Sequence, residues 1–316
     1  MTVLESVLET IGKTPLVSLD RLGKGYNGRI FAKLEYLNPG LSVKDRVALS
    51  IIRDAEKKGL LRKGDTIVEL TSGNTGIGLA ITCSVRGYNL IAVMSEGNSH
   101  ERIRMIEALG ATVELVPQAG TKRQGQVSRE DLLKAEDRTI ELVEKLGAFR
   151  PDQFNNLAGV EAHEFGTGEE IWEQAGGKID AFVSFVGTSG TFTGISKCLK
   201  KHNGEIRCYA AEPASAPILS GAKVDFTSHK IQGGGYSIVP PLWDNRLCDG
   251  FLTASDSEAI TTTRMLATKE GIFTGFSSGA NVACALKLAR KINKGKIIIT
   301  VLPDSGLKYL TTDLFQ

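Results

Sequence analysis

Short runs rich in β-branched residues alternate with stretches rich in Ala, Leu, Lys and Glu, and this alternation limits the folds open to the chain more than any other feature. The strand-like runs are 30–34, 66–69, 90–94, 112–115, 181–186, 207–211 and 296–301. Helical patterns follow most of them, at 46–58, 76–86, 100–109, 129–146, 192–201, 257–269 and 280–291. Strand–helix alternation at this spacing predicts βαβ units and an α/β fold, with ligands at the carboxyl ends of parallel strands. At 316 residues the chain exceeds the size at which one core keeps growing, so two lobes are expected. No internal repeat or low-complexity tract interrupts the pattern. The polar, glycine-containing segment 117–129 reads as a surface loop, and 228–241, ending in Pro240-Pro241, as a second irregular stretch.

Charge narrows the function classes. With 38 basic against 36 acidic residues the formal net charge is +2, which gives no electrostatic footprint for nucleic acid. The basic clusters Lys197, Lys200, Lys201 and Lys287, Arg290, Lys291, Lys294 fall at helical spacing and read as solvated faces. No apolar run approaches membrane-spanning length, and residues 1–14 lack the apolar core of a signal peptide. Five cysteines, none in a Cys-x-x-Cys pair, suit a reducing compartment, so a cytoplasmic protein of enzyme size is expected, with no metal centre.

Four glycine-rich turns stand at strand ends or just before helices. Gly187-Thr188-Ser189-Gly190-Thr191 follows an apolar run and opens a helix. Converging N–H groups, a helix N-terminus and three hydroxyls suit a phosphate dianion. It is neither a Walker A loop nor a dinucleotide fingerprint, and a tight turn with a helix cap explains the segment equally well on its own. Thr71-Ser72-Gly73-Asn74-Thr75-Gly76 offers hydroxyl and amide donors suited to a carboxylate, or simply a helix cap. Ser277-Ser278-Gly279-Ala280 is adequately explained as a cap. The fourth turn, Asn38-Pro39-Gly40-Leu41-Ser42-Val43-Lys44-Asp45-Arg46, places a lysine between a Pro-Gly turn and a helix.

Taken in order, these four segments and Pro303-Asp304-Ser305-Gly306 resemble the motif series of the cysteine synthase (O-acetylserine sulfhydrylase) and cystathionine β-synthase family. These are pyridoxal-phosphate enzymes of the tryptophan-synthase-β fold type, and the resemblance runs from Thr14-Pro15-Leu16 to Tyr309-Leu310. It implies two lobes, each a mainly parallel twisted sheet flanked by helices. Residues 1–36 with 151–316 would form the larger, cofactor-phosphate lobe, and 37–150 the smaller, substrate-closing one. It also implies roles. Lys44 would carry pyridoxal 5'-phosphate covalently and act as the base on the substrate Cα proton, which requires a lowered amine pKa. Gly187, Thr188, Ser189, Gly190 and Thr191 would hold the cofactor phosphate, Asn74 its 3′-oxygen and Ser277 its pyridine nitrogen. A hydroxyl at Ser277 leaves that nitrogen unprotonated, which favours loss of a β-substituent over transamination. Thr71, Ser72, Gly73 and Thr75, with Gln153, would clamp the substrate α-carboxylate.

The sequence also departs from its relatives. Gly233-Gly234-Gly235-Tyr236-Ser237-Ile238-Val239-Pro240 stands where cysteine synthases usually read Gly-Ile-Gly-Ala-Gly-Phe-Ile-Pro. Tyr236 resembles the Gly-Tyr-Asp of cystathionine β-synthases, with Ser237 in place of the Asp. Gly234 and Tyr236 would face the β-substituent, and simple packing is an equal account of Tyr236. Other differences lie at Met94–Arg102, and Leu157 follows Asn156 where relatives carry proline.

The leading expectation is β-replacement through an aminoacrylate intermediate, with O-acetylserine and sulfide giving cysteine and acetate. The alternatives are a cystathionine β-synthase-like or hydrogen-sulfide-releasing enzyme using serine, cysteine or O-phosphoserine, dehydration of serine or threonine, and, more remotely, a non-catalytic binding homologue. The family further implies a homodimer and docking of a serine acetyltransferase tail, with no nucleic acid or membrane partner.

Overall fold

The structure is a computed structural model that describes residues 3–119, 127–222, 224, 229–235 and 238–316. Part of the 117–129 loop, and Tyr236 and Ser237, lie outside the described residues. The described chain divides into two compact units. One comprises the residues through Ile11 together with Asn38–Gly159, and the other comprises Gly12–Leu37 and Val160–Gln316.

In chain order the strands are β1 (Leu16–Ser18), β2 (Arg29–Leu34), β3 (Thr66–Leu70), β4 (Asn89–Ser95), β5 (Thr112–Val116), β6 (Ala181–Phe185), β7 (Arg207–Pro213), β8 (Gly250–Ala254) and β9 (Ile297–Leu302). The α-helices are α1 (Lys44–Lys57), α2 (Asn74–Arg86), α3 (His100–Ala108), α4 (Arg129–Leu146), α5 (Ala158–Ala162), α6 (Gly168–Gln174), α7 (Gly190–His202), α8 (Asp256–Met265) and α9 (Phe276–Lys291). The second unit carries a six-stranded sheet in the order β1-β2-β9-β6-β7-β8, parallel throughout except for the antiparallel β1–β2 pair. The first carries the parallel sheet β3-β4-β5. The α/β class read from the alternation is therefore observed.

Burial explains the strand compositions. β6 (Ala-Phe-Val-Ser-Phe) is buried at every position, and β9 (Ile-Ile-Ile-Thr-Val-Leu) at all but its first. Strands covered by helices on both faces need continuous apolar runs, not alternation. α9 ties the middle of this sheet together through Asn281, which is fully buried. Its Oδ1 accepts the Phe185 N–H at 2.5 Å and its Nδ2 donates to the Val301 carbonyl at 2.8 Å, which fixes the end of β6 just before Gly187.

Two strands and one helical stretch were not legible in advance. β1 has only three residues, and β8 starts on a glycine within mixed polar sequence. Residues 158–174 run as α5, one π-helical turn over His163–Thr167, and α6, with no clean amphipathic period. The helix starts also needed correction. Asn74 and Thr75, Gly190 and Thr191, and Ser277 to Ala280 belong to the first turns of α2, α7 and α9, and Lys44 is itself the first residue of α1. Residues suited to capping read as turns in sequence, but their backbone N–H groups can also serve as a helix's first turn.

Candidate active site

The lysine expected to be reactive stands on a tightly held helix start. Before α1, the Leu41 N–H bonds the Asn38 carbonyl at 2.8 Å, and the buried Asp45 carboxylate accepts the Gly40 N–H at 2.5 Å. The chain is thereby folded back on the first turn of the helix. α2 lies close against that turn: a Cβ on Gly78 would fall 2.9 Å from the Lys44 carbonyl and 3.1 Å from the Ala48 side chain. Lys44 is half-buried by accessible area, yet enough protein surrounds its amine that burial pulls the pKa down to about 8. Water solvates an ammonium far better than protein does, so burial favours the neutral, nucleophilic form.

The 71–76 segment is built from backbone strain and hydroxyl caps. Gly73 has φ 119°, a region open to glycine alone among ordinary residues, and a side chain there would also run into the buried Arg102. Arg102 in turn donates from Nη1 to the Ser72 carbonyl at 3.1 Å. The Thr71 Oγ1 accepts the N–H groups of Gly73 and Gly76 at 2.9 and 3.0 Å, so its oxygen is engaged as the cap of α2. Thr75 and Gln153, expected to serve one carboxylate, meet. The Thr75 hydroxyl donates to Gln153 Oε1 at 2.6 Å, and Gln153 Nε2 donates to the Leu70 carbonyl at 2.9 Å.

Sequence reasoning missed the group beneath them. Glu69 is 1% exposed near the end of β3 and receives the backbone N–H groups of Asp152 and Gln153. Its second oxygen has no partner among the described residues. Burial pushes its pKa up to about 8, against the opposing pull of the Arg150 guanidinium, while Asp152 adds to the rise. Arg150 is itself shared with Glu136, at 2.7 Å. A glutamate in an apolar strand flanking a Thr-Ser-Gly turn is the sequence signal that could have drawn attention to it.

In the second unit the 187–191 turn is buried and tightly packed. A Cβ on Gly187 would strike the Gly233 carbonyl, and one on Gly234 would lie 2.6 Å from the Phe185 ring and the Val186 carbonyl. Gly187 and Gly234, singled out separately from sequence, are thus in direct contact. The His229 Nε2 lies 2.9 Å from the Gly235 carbonyl and steadies this approach. Ser189, at φ 73°, is the N-cap of α7 in the left-handed region, which costs a non-glycine residue about 1–2 kcal/mol. Its hydroxyl lies 3.0 Å from that of Thr193, and Thr191 Oγ1 lies 3.2 Å from His163 Nε2. Ser189 and Thr191 are therefore partly engaged within the protein. Convergent N–H groups at the start of a 13-residue helix remain the feature that fits a phosphate. Ser277 is 7% exposed in the first turn of α9, and beside it the fully buried Ser278 Oγ has no hydrogen-bond partner among the described residues.

Each taken by itself, the desolvated amine of the first unit and the small-residue helix start of the second are of the kinds that a phosphate-bearing aldehyde cofactor needs. The sequence comparison decides the family, since residues 7–304 match the model of the pyridoxal-phosphate dependent enzymes. The chain belongs to that family. Cysteine synthase of Staphylococcus aureus (strain Mu50 / ATCC 700699) is 41% identical over 314 residues, covering 99% of this chain and 97% of the relative. Among solved structures, O-ureido-L-serine synthase is 41% identical with a TM-score of 0.91, covering 99% of this chain and 96% of that one. A hydrogen sulfide-producing enzyme from Fusobacterium nucleatum is 38% identical with a TM-score of 0.89, covering 98% and 100%. The family's cofactor is pyridoxal phosphate, as the motif series implied.

Proposed function

We propose that this enzyme catalyses β-replacement on a serine-derived amino acid, taking O-acetylserine and sulfide to cysteine and acetate. The observation that carries the chemistry is the Lys44 amine, which burial brings to a pKa of about 8 on the first turn of α1. The 41% identity to a cysteine synthase over 99% of the chain supports the choice of substrate. Pyridoxal phosphate supplies an aldehyde for amino groups and a ring that withdraws electrons from the substrate Cα.

The chain's residues supply the rest. Lys44 Nζ would hold the cofactor and would serve as the base for the substrate Cα proton. The Gly187–Thr191 backbone, with Thr188, Ser189 and Gly190 between, would receive the phosphate, Asn74 the 3′-oxygen and Ser277 the ring nitrogen. Thr71, Ser72, Gly73, Thr75 and Gln153 orient the substrate carboxylate, with Thr75 and Gln153 already bonded to one another. Gly234 would border the β-substituent, and the same role for Tyr236, outside the described residues, rests on the resemblance alone. In this reading the substrate-closing role falls to the unit of Asn38–Gly159, which takes in the residues through Ile11 that the sequence had assigned to the larger lobe, and the cofactor-phosphate role to Gly12–Leu37 with Val160–Gln316. A cytoplasmic homodimer that docks a serine acetyltransferase tail follows from the same resemblance, and the absence of disulfides among the five cysteines supports a reducing compartment.

A second reading rests on the Gly233-Gly234-Gly235-Tyr236-Ser237 departure and on the likeness to a hydrogen sulfide-producing enzyme. In it, cysteine is the donor and sulfide the leaving group. Purified protein incubated with O-acetylserine and sulfide, or with cysteine alone, separates the two by quantifying cysteine, acetate and sulfide. Inertness toward O-acetylserine beside brisk sulfide release from cysteine would overturn the first reading.

A further inference from the structure

Away from these residues, α6 and α7 bring together Glu169, Cys198 and His202, whose ligand atoms all lie within 4.8 Å of one another. Cys198 and His202 are four residues apart on α7, so they share one face a turn apart. Glu169 approaches that face from α6, and its Oε2 lies 2.7 Å from the His202 Nε2. The Trp172 ring stacks on His202 at 4.6 Å with planes 8° apart, which fixes the direction of the imidazole. Cys198 forms the buried floor at 1% exposure, while Glu169 and His202 are about a third exposed at the rim. His202 is the last residue of α7, where the helix dipole favours positive charge.

We propose that Glu169, Cys198 and His202 bind a thiophilic divalent cation of the zinc class, with a fourth position open to water. The donor set is one carboxylate oxygen, one imidazole nitrogen and one thiolate, the types that zinc takes in tetrahedral sites. Tetrahedral coordination at zinc bond lengths separates ligand atoms by about 3.4–3.6 Å. The carboxylate–imidazole pair would open slightly and the thiol would close in, within the reach of side-chain rotation. Without a cation, the same carboxylate is bonded by the imidazole, with the thiol within 4.8 Å. Burial, then Glu169, pushes the Cys198 thiol up to about 12, so it is protonated at neutral pH. Cation binding breaks the S–H bond and forms a metal–sulfur bond, and the thiol proton leaves to solvent; no electron is transferred. Lys201 and Lys197 oppose the cation from α7, and Glu164 favours it.

The test uses chelator-treated holoenzyme titrated calorimetrically with zinc chloride in buffers of different ionisation enthalpy, and cobalt chloride followed by difference absorbance. One zinc per chain with proton release, and a cobalt–thiolate band, are expected. C198A and H202Q should each weaken binding by more than the ~10-fold that removal of an outer partner costs. Cofactor absorbance and β-replacement in metal-free buffer should be unchanged in H202Q, which shows the fold is retained. Absence of saturable zinc binding, stoichiometric binding that survives both substitutions, or a cobalt spectrum without the thiolate band would overturn the proposal.

Discussion

The reactivity of Lys44 should follow pH with a midpoint near 8, not near the value of a solvated lysine. With a pKa of 10.5, about 0.03% of the amine is neutral at pH 7, while at about 8 the neutral fraction is about 9%, a gain of ~300-fold in available nucleophile. The sign follows from the group's charge: burial penalises the ammonium, so the neutral form appears at lower pH than in water. The cofactor-free chain, exposed briefly to formaldehyde and borohydride across pH 6 to 10 and mapped by peptide mass, reports modification at residue 44 directly. The rate should rise about tenfold per unit below pH 8 and level off above it. Surface lysines in the same digest serve as internal references and should keep rising past pH 9. A rate at residue 44 that climbs in parallel with theirs would refute the reasoning, because it would mean that the amine is solvated.

Glu69→Gln should change the pH dependence of stability. The folded pKa of Glu69 lies above its unfolded value, so the native state holds the proton more tightly and wild type loses stability as pH rises from about 4.5 through about 8. The urea midpoint of the variant relative to wild type should therefore improve between pH 6 and pH 9, and an unchanged difference would contradict it. Thr75→Val leaves the buried Gln153 Oε1 without its 2.6 Å donor and should cost about 1–3 kcal/mol in urea unfolding, with a raised KM for the amino-acid donor. Gly187→Ala drives a Cβ into the Gly233 carbonyl, a backbone clash that should cost about 1–3 kcal/mol and weaken cofactor retention on gel filtration. Asn281→Leu removes the two bonds by which α9 holds β6 and β9 and should lower the thermal midpoint without altering the catalytic pH profile.

The sequence by itself determined the α/β class and the order of the motif segments, because strand period, helix period and turn chemistry are local properties of neighbouring residues. It located Lys44, the Gly187 turn and the Thr71–Gly76 segment, though it placed the helix starts late, since small polar residues suit a turn and a first helical turn alike. Tertiary structure alone decided the rest. The Lys44 amine owes its pKa to surrounding protein, and desolvation has no signature in the order of residues. Glu69 becomes a raised carboxyl only when the folded chain buries it, and Thr75 meets Gln153 across 78 residues of sequence. The three-residue β1 exists because β2 offers it a ladder to join, and the Glu169–Cys198–His202 group exists because α6 packs beside α7. Each of these depends on which buried surfaces meet, and that is settled by packing of the whole chain and not by any window along it.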